Sequence, residues 1–345
     1  MSKKIKVGNI YIGGGERISV QSMTNTDTAD YDSTSAQIKQ LVNAGCDIVR
    51  LAVRDMNDIE ICKRYISEST IPLVADIQFD YRLAVASADI GFSKIRFNPG
   101  NTSLTGLSEV VSSCKANSCP IRIGINAGSL EKELKSKYGV SPESLTESAL
   151  KSVNILEKMN FNDIIISVKA SDVKLMIDSY KLLASKTDYP LHLGVTESGY
   201  GMDGLIKSSI GIGSLLLDGI GDTIRVSLTG DPILEVKAAL SLLNSIGLRN
   251  DRAEIVSCPT CARCFYDLEA MVLKCKELLN NCNKKLKIAV MGCVVNGPGE
   301  AEDADIGIAG GKEKAVLFSK GKLIETLPVK EAEEKFLSML SSLIG

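Results

Sequence analysis

Ile18-Ser19-Val20-Gln21-Ser22-Met23 opens a long region, ending near Leu228, in which short β-branched runs alternate with longer helical patterns. The predicted strands are 18–23, 48–53, 73–77, 94–98, 121–126, 164–169, 191–196 and 223–228. Eight strand-helix units in one chain predict an α/β fold, a closed parallel barrel of the TIM (β/α)8 type. A doubly wound open sheet is the alternative. After the eighth strand, Asp231, Pro232 and Gly247 mark the two ends of a further helix.

Polar residues gather at the carboxyl ends of the predicted strands, where the catalytic groups of TIM barrels lie. Within a strand they keep a spacing of two, which places each set on one face. The sets are Arg96 with Asn98, Arg122 with Gly124 and Asn126, and Arg225 with Ser227, and further charged residues at strands are Arg50, Asp76, Lys169 and Glu197. Any one of them could pair with a neighbouring acid. Together, so many buried cations need an anionic partner, and a diphosphate matches the guanidinium fork.

Composition excludes several classes of protein. The 345 residues carry 40 Lys+Arg against 42 Asp+Glu, so there is no basic excess for a nucleic-acid surface. No run of 18 apolar residues and no apolar signal core is present, which predicts a cytoplasmic protein without a membrane span. In that compartment the ten cysteines are expected to be thiols or metal ligands and not disulfides.

The apolar rhythm breaks around 248–253, which predicts a boundary between a barrel domain, 1–250, and a second domain, 251–345. In the second domain we expect a strand into Cys258, a helix over 265–281 and a strand over 287–291. A strand at 306–309, a hairpin turning at Lys320-Gly321 and a final helix near 329–343 complete a small α+β domain.

Two turns of the second domain carry cysteines with the spacing of a metal site. They are Ser257-Cys258-Pro259-Thr260-Cys261-Ala262-Arg263-Cys264 and Met291-Gly292-Cys293-Val294-Val295-Asn296-Gly297-Pro298-Gly299-Glu300. Cys258, Cys261, Cys264 and Cys293 could close a tetrahedral zinc site. Three cysteines with the weaker ligand Glu300 could instead hold an iron-sulfur cluster with one replaceable iron ligand. The spacing alone leaves both readings open.

Several motifs in one order resemble the family of 4-hydroxy-3-methylbut-2-en-1-yl diphosphate synthases, iron-sulfur enzymes of the non-mevalonate isoprenoid pathway. Besides the two cysteine turns, the motifs are Val20-Gln21-Ser22-Met23-Thr24-Asn25-Thr26, Asn98-Pro99-Gly100-Asn101, Arg122-Ile123-Gly124, Asn126-Ala127-Gly128-Ser129-Leu130 and Ser167-Val168-Lys169-Ala170-Ser171-Asp172. The resemblance covers nearly the whole chain. It implies an oxidoreductase that opens and dehydrates 2-C-methyl-D-erythritol 2,4-cyclodiphosphate reductively, giving (E)-4-hydroxy-3-methylbut-2-enyl diphosphate.

The same resemblance assigns roles to individual residues. It implies that a 4Fe-4S cluster is held by Cys258, Cys261, Cys293 and Glu300, with Cys264 as an extra thiol. It implies that the cyclic diphosphate is bound by Arg50, Arg96, Asn98, Arg122, Asn126, Lys169, Arg225 and Ser227. Glu197 is the expected proton donor and Glu300 the expected catalytic iron ligand. Reduced ferredoxin or flavodoxin is the expected electron donor, and a homodimer the expected assembly.

Two residues limit the acid-base assignments. Gln78 stands where relatives commonly have histidine, and an amide cannot shuttle a proton near neutrality. His192, the single histidine, differs in strand parity from Glu197, so we expect a hydrogen-bonded core residue and not the catalytic acid. The rival functions are a radical S-adenosylmethionine enzyme, whose usual cysteine signature is absent, and a phosphate-binding barrel that carries a structural zinc module.

Overall fold

The computed structural model describes residues 1–99, 103–250, 252–279, 282, 284–294, 299 and 301–345. Contacts divide the chain into two compact units, Met1–Leu248 and Arg249–Gly345. Across the described ranges, no helix combines the length and the apolar character needed to cross a membrane.

The first unit begins with a hairpin, β1 (Ile5–Val7) and β2 (Ile10–Ile12), and continues with eight strands of one parallel sheet. These are β3 (Ser19–Met23), β4 (Ile48–Ala52), β5 (Leu73–Asp76), β6 (Lys94–Arg96), β7 (Ile121–Asn126), β8 (Ile164–Lys169), β9 (His192–Leu193) and β10 (Thr223–Ile224). The helices are α1 (Tyr31–Asn43), α2 (Met56–Glu68), α3 (Tyr81–Asp89), α4 (Leu104–Ala116), α5 (Lys132–Tyr138), α6 (Pro142–Lys158), α7 (Val173–Ala184), α8 (Gly201–Leu217) and α9 (Pro232–Ser245).

The strands follow the order β8-β7-β6-β5-β4-β3-β10-β9, and a parallel bridge between Ile166 and Leu191 brings the two ends of this sheet together. Tyr180 of α7 reinforces that seam. Its hydroxyl accepts a 3.2 Å bond from the N–H of Val168 and donates a 2.5 Å bond to the carbonyl of His192. All eight predicted strands are present, so the barrel prediction is confirmed and the open sheet is not.

An apolar plug closes the amino end of the barrel. Side chains of the β1–β2 hairpin form a buried cluster with barrel residues, namely Ile5, Val7, Ile12, Ile48, Val74 and Ile165. Because this end is dry and filled, the polar interior of the barrel opens toward the carboxyl ends of the strands.

Capped helix amino ends surround that open end. The side chains of Asp30, Asp55, Asp80, Ser103, Asp172 and Asp231 accept backbone N–H bonds at the starts of α1, α2, α3, α4, α7 and α9. Each of these helices follows a strand, so its amino end lies at the mouth of the barrel. Five of the six caps are aspartates, whose negative charge offsets the partial positive charge of the helix amino ends.

In the part of the chain that the structure describes, the second unit is built on a five-stranded sheet. Its elements are β11 (Glu254–Ser257), α10 (Leu268–Leu279), β12 (Lys287–Met291), β13 (Ile306–Ala309), β14 (Lys314–Ser319), β15 (Lys322–Pro328) and α11 (Val329–Ile344). The strands lie in sequence order; the first three are parallel and the last two pairings are antiparallel.

Two helices cover the apolar face of this sheet. Met271 of α10 and Phe336 of α11 belong to one buried cluster with residues of β12, β13 and β14. Lys320 and Gly321 join β14 to β15 with positive φ values of 47° and 72°, which is the hairpin turn expected from the sequence. The α+β prediction for this unit is confirmed.

Candidate active site

Five basic side chains enter the interior of the barrel near its mouth. β4, β6, β7 and β8 carry Arg50, Arg96, Arg122 and Lys169, and Arg225 directly follows β10. Arg122 and Lys169 are buried and the other three are half-buried. The period-two spacing read from the sequence therefore does bring these five cations to one site.

Asp76, at the end of β5, is shared by two of the arginines. Its carboxylate lies 3.9 Å from Nε of Arg50 and 3.6 Å from Nη1 of Arg96. Burial alone would raise the pKa of Asp76, but Arg50 and Arg96 outweigh burial and hold that pKa below its ordinary value. Asp76 is therefore a permanent anion that keeps two guanidinium groups at the mouth.

Glu235, in the first turn of α9, is the carboxylate partner of Arg225, as Asp76 is of the other two arginines. Its Oε2 lies 3.4 Å from Nε of Arg225 and accepts a 3.1 Å bond from the hydroxyl of Ser22. Its Oε1 accepts the N–H of Leu228 at 2.9 Å. Because an acidic residue at a helix start ordinarily lies on the surface, the sequence did not indicate Glu235 as a site residue.

Met23 lies between two guanidinium groups. Its sulfur accepts bonds from Nε and Nη2 of Arg50 at 3.1 and 2.9 Å, and Nη1 of Arg225 is 3.9 Å away. A thioether can satisfy a donor without neutralising its charge. The two cations therefore stay close together while keeping their attraction for an anion.

Arg122 and Lys169 have no carboxylate partner among the described residues. Arg122 donates a 2.8 Å bond to the hydroxyl of Ser167, while its Nε has no partner. For Lys169 the structure gives no hydrogen bond in the described ranges. Burial, then the nearby arginines Arg122 and Arg225, lower the pKa of Lys169 well below its ordinary value. Arg122 therefore brings an uncompensated positive charge to the mouth, and Lys169 brings an amine whose protonated form an anionic ligand would favour.

The remaining predicted contacts are placed less uniformly. The side-chain amide of Asn98 binds the backbone of Gly124: its NH2 group donates a 2.9 Å bond to the carbonyl, and its oxygen accepts a 2.9 Å bond from the N–H. Asn126 ends β7 half-buried, and Ser227, half-buried after β10, accepts the hydroxyl of Ser198 at its backbone carbonyl. Their side chains lie at the same end of the barrel as the five cations.

The acid-base candidates occupy different settings. Glu197 is exposed in the turn after β9 and has a positive φ of 52°, an uncommon conformation for a residue with a Cβ. Gln78 is exposed just after β5. His192 is fully buried as expected, but neither ring nitrogen has a hydrogen-bond partner, so the expectation of a hydrogen-bonded core histidine is wrong.

In the second unit, Gly292 brings two sulfurs together. Its N–H donates a 3.1 Å bond to Sγ of Cys258. A Cβ at this glycine would lie 2.9 Å from Sγ of Cys264 and 3.5 Å from Sγ of Cys258, so a side chain here would displace the thiols. Cys264 also approaches the carbonyl of Tyr266 at 3.2 Å.

The other predicted ligands are Cys261, which is exposed, and Cys293, which is half-buried. The backbone N–H and then the side chain of Arg263 lower the pKa of Cys261, which favours the thiolate. Glu300 lies outside the described residues. Inside them, no three Cys, His, Asp or Glu side chains form a ready-made metal site. Soft thiolates with an N–H···S bond nevertheless suit an iron-sulfur centre or zinc.

Fold and site together define a class: a TIM barrel with a cluster of basic side chains at its mouth, joined in one chain to a small α+β unit with two cysteine-bearing turns. The GcpE TIM-barrel domain matches residues 2–240, and the GcpE protein C-terminal domain matches residues 254–342. The chain belongs to the GcpE family.

Curated relatives agree over their full length. A protein of Clostridium perfringens is 53% identical over 344 residues, covering 99% of both chains. One of Caldanaerobacter subterraneus subsp. tengcongensis is 51% identical, covering 100% of this chain and 98% of the relative. Both are named 4-hydroxy-3-methylbut-2-en-1-yl diphosphate synthase (flavodoxin).

Solved structures support the barrel alone. Dihydropteroate synthase from Stenotrophomonas maltophilia has a TM-score of 0.53 at 12% identity and covers 71% of this chain and 97% of its own. Type I 3-dehydroquinate dehydratase from Clostridium difficile has a TM-score of 0.51 at 16% identity, covering 71% and 98%. At such identities the likeness concerns the fold.

We expect Asp76→Asn to change how stability depends on pH. The folded pKa of Asp76 is below the unfolded value of about 4, so its ionisation stabilises the protein above that pH and this contribution is lost as the pH falls through the folded pKa. The variant should be less stable at neutral pH by roughly 2–4 kcal/mol and should lose less stability on acidification. Urea unfolding at a series of pH values measures both effects.

The exposed residue Glu109, in the middle of α4, supplies the control, because Glu109→Gln should leave both properties unchanged. An Asp76→Asn protein that keeps the stability and the acid slope of the wild type would contradict the shared role of this carboxylate.

Proposed function

We propose that the barrel mouth binds the cyclic diphosphate substrate and that the second unit holds the cluster that reduces it. The enzyme is an oxidoreductase of its family: it converts 2-C-methyl-D-erythritol 2,4-cyclodiphosphate reductively to (E)-4-hydroxy-3-methylbut-2-enyl diphosphate in non-mevalonate isoprenoid biosynthesis. The observation that carries the proposal for the mouth is its charge: five basic side chains with two carboxylates, Asp76 and Glu235.

Binding at the mouth follows from that charge. A diphosphate brings two negative charges and several acceptor oxygens, which guanidinium groups bind in a bidentate manner. The proposed contacts are Arg50, Arg96, Asn98, Arg122, Asn126, Lys169, Arg225 and Ser227. Because Asp76, Glu235, Met23 and Ser167 already fix the cations, little side-chain entropy is lost on binding.

The reaction also needs a proton for the departing hydroxyl, which leaves as water. Glu197 supports this role by its position in the turn after β9, where it is exposed to incoming substrate. Gln78, just after β5 on the opposite side of the mouth, offers hydrogen bonds but no proton transfer.

For the cofactor we propose a 4Fe-4S cluster held by Cys258, Cys261, Cys293 and Glu300. When bound, the cluster supplies two electrons one at a time to the substrate. Cys258 already accepts the N–H of Gly292, and N–H···S bonds stabilise the negative charge of cluster thiolates. Cys264 remains an extra thiol in this proposal. The relatives' printed name supports flavodoxin as the electron donor, with ferredoxin as the alternative, and we place the enzyme in the cytoplasm.

We propose a homodimer, and one helix face supports it. Met202, Ile206, Ile210 and Leu217 lie on one side of α8, and between 49% and 72% of each side chain is exposed. Four apolar residues on one exposed helix face are unusual for a surface that meets only water. A second copy of the chain would cover them.

The substrate proposal predicts the effect of removing one cation. Arg122→Met keeps an apolar stem of similar length but lacks the charge, so kcat/KM for the cyclodiphosphate should fall about 100-fold, chiefly through KM. The assay is anaerobic turnover with reduced flavodoxin.

Arg17→Met is the matched control, because Arg17 is exposed, precedes β3 and pairs with Asp47 at 2.7 Å. Full activity of the Arg122 variant would remove that residue from the binding site.

The ligand proposal predicts different results for Glu300 and Cys264. Glu300→Ala should lower the iron content, or make the cluster labile, since one iron loses its protein ligand. Cys264→Ser should retain about four iron and four sulfide per chain. Iron, acid-labile sulfide and zinc are measured on anaerobically purified protein. Loss of metal in Cys264→Ser with a normal centre in Glu300→Ala, or stoichiometric zinc without sulfide, would favour the four-cysteine zinc site instead.

The dimer proposal predicts that charge on α8 separates the subunits. The double variant Ile206→Glu, Ile210→Glu should sediment as a monomer, because burying two carboxylates in an apolar interface is costly. Lys39→Glu on the exposed face of α1 is the control and should remain dimeric. A dimeric double variant would exclude this face as the interface.

A further inference from the structure

A second layer of polar groups lies beneath the cations of the mouth. Lys94 is fully buried and stands two residues before Arg96 on β6, so both side chains face the barrel interior. Its Nζ donates a 3.1 Å bond to Oε1 of Gln21, which comes from β3 on another side of the barrel. Within the described ranges, no carboxylate lies within ion-pair distance of Lys94.

This layer is incompletely paired. Among the described residues, Nε2 of Gln21 has no hydrogen-bond partner, and neither have the two ring nitrogens of His192. Buried polar groups without partners are uncommon in folded proteins and need an explanation, such as a bound water or ion or a functional role. Lys94, Gln21 and His192 come from three strands of the barrel, β6, β3 and β9, and all three are buried below the mouth.

The charged surroundings of Lys94 oppose its own positive charge. Arg122 and Arg50 face it from β7 and β4, and the one potential anion near it is the thiol of Cys119. Burial, then Arg122 and Arg50, lower the pKa of Lys94 well below its ordinary value. His192 faces Arg122, Lys169, Lys94 and Arg50, and burial followed by these cations lowers its pKa as well. Arginines keep their protons, so the lysines and His192 are the groups that can respond to a ligand.

We propose that Lys94 is a charge-switching residue, neutral in the empty barrel, which takes up a proton when a doubly negative phosphate ligand binds at the mouth. The proposal rests on the proposed substrate site and adds a residue that does not touch the substrate. Lys94 acts on binding through the field inside the barrel, where little water screens charge.

Gln21 suits such a switch because an amide can serve both states of the lysine. Its oxygen accepts from the ammonium group, and after a flip its NH2 group donates to the lone pair of the neutral amine. A carboxylate in this place would hold Lys94 permanently protonated. The amide therefore allows the charge to change where an acid would prevent it.

The switch makes binding depend on pH in a defined direction. In the empty protein the pKa of Lys94 is low, and the bound dianion raises it. Between the two pKa values each binding event takes up a proton, so affinity falls as the pH rises through that window. Below the lower pKa, Lys94 is already charged and contributes no uptake.

Calorimetric titration tests the proposal. The cyclodiphosphate is titrated into the oxidised full-length holoenzyme without reductant, so that no turnover occurs. Repeating the titration over a series of pH values, in buffers with different ionisation enthalpies, gives the number of protons taken up per bound ligand, and the variants are compared at the pH of greatest uptake by the wild type. We expect Lys94→Met to take up about one proton fewer than the wild type. Uptake by Lys169, which lies at the ligand itself, should remain.

Two further variants separate the explanations. Gln21→Glu should also abolish the uptake at Lys94, because the lysine is then charged before binding. This variant tests the proposal even if Lys94→Met does not fold. His192→Asn should retain the wild-type uptake. Uptake that persists in both Lys94→Met and Gln21→Glu, or that is lost only in His192→Asn, would overturn the proposal. Absence of binding by the wild type would instead refute the substrate site, whereas binding without proton uptake would refute this inference alone.

Discussion

The excess of positive charge inside a closed barrel is the constraint on which the rest of the first unit depends. Asp76 and Glu235 each lie beside arginines, and they are too few to neutralise the interior. The other contacts of the cations at the mouth include two neutral acceptors, the sulfur of Met23 and the hydroxyl of Ser167. Neutral acceptors satisfy donors without cancelling charge, so the attraction for an anion is preserved.

The fold makes this arrangement tolerable. The β1–β2 hairpin fills the amino end of the barrel with apolar side chains, so the unfavourable charge is confined to the end that meets solvent and substrate. Tyr180 connects β8 to β9, the two strands between which the barrel closes, because its hydroxyl bonds to the backbone of Val168 and of His192.

The second unit positions cysteine side chains on turns that are anchored by strands. Cys258 follows β11 and Gly292 follows β12, two parallel neighbours, so the two cysteine turns emerge from the same edge of the sheet. The absence of a side chain at Gly292 lets its N–H reach one sulfur and leaves room for another. In both units the candidate functional residues thus lie at or just beyond the carboxyl ends of parallel strands, where the connecting turns can vary in sequence.

The sequence by itself determined the barrel, the α+β unit, the hairpin at Lys320-Gly321 and the five cations of the mouth, because hydrophobic periodicity and strand parity are local properties of the chain. Its family motifs also determined the reaction. The tertiary structure alone decided which groups pair. Glu235 has the sequence pattern of an ordinary helix start, yet its carboxylate pairs with Arg225. The amide of Asn98 binds the backbone of Gly124. Lys94 donates a hydrogen bond to Gln21 across the interior of the barrel. These pairings join strands far apart in sequence, and no local pattern specifies which side chains meet inside a closed barrel.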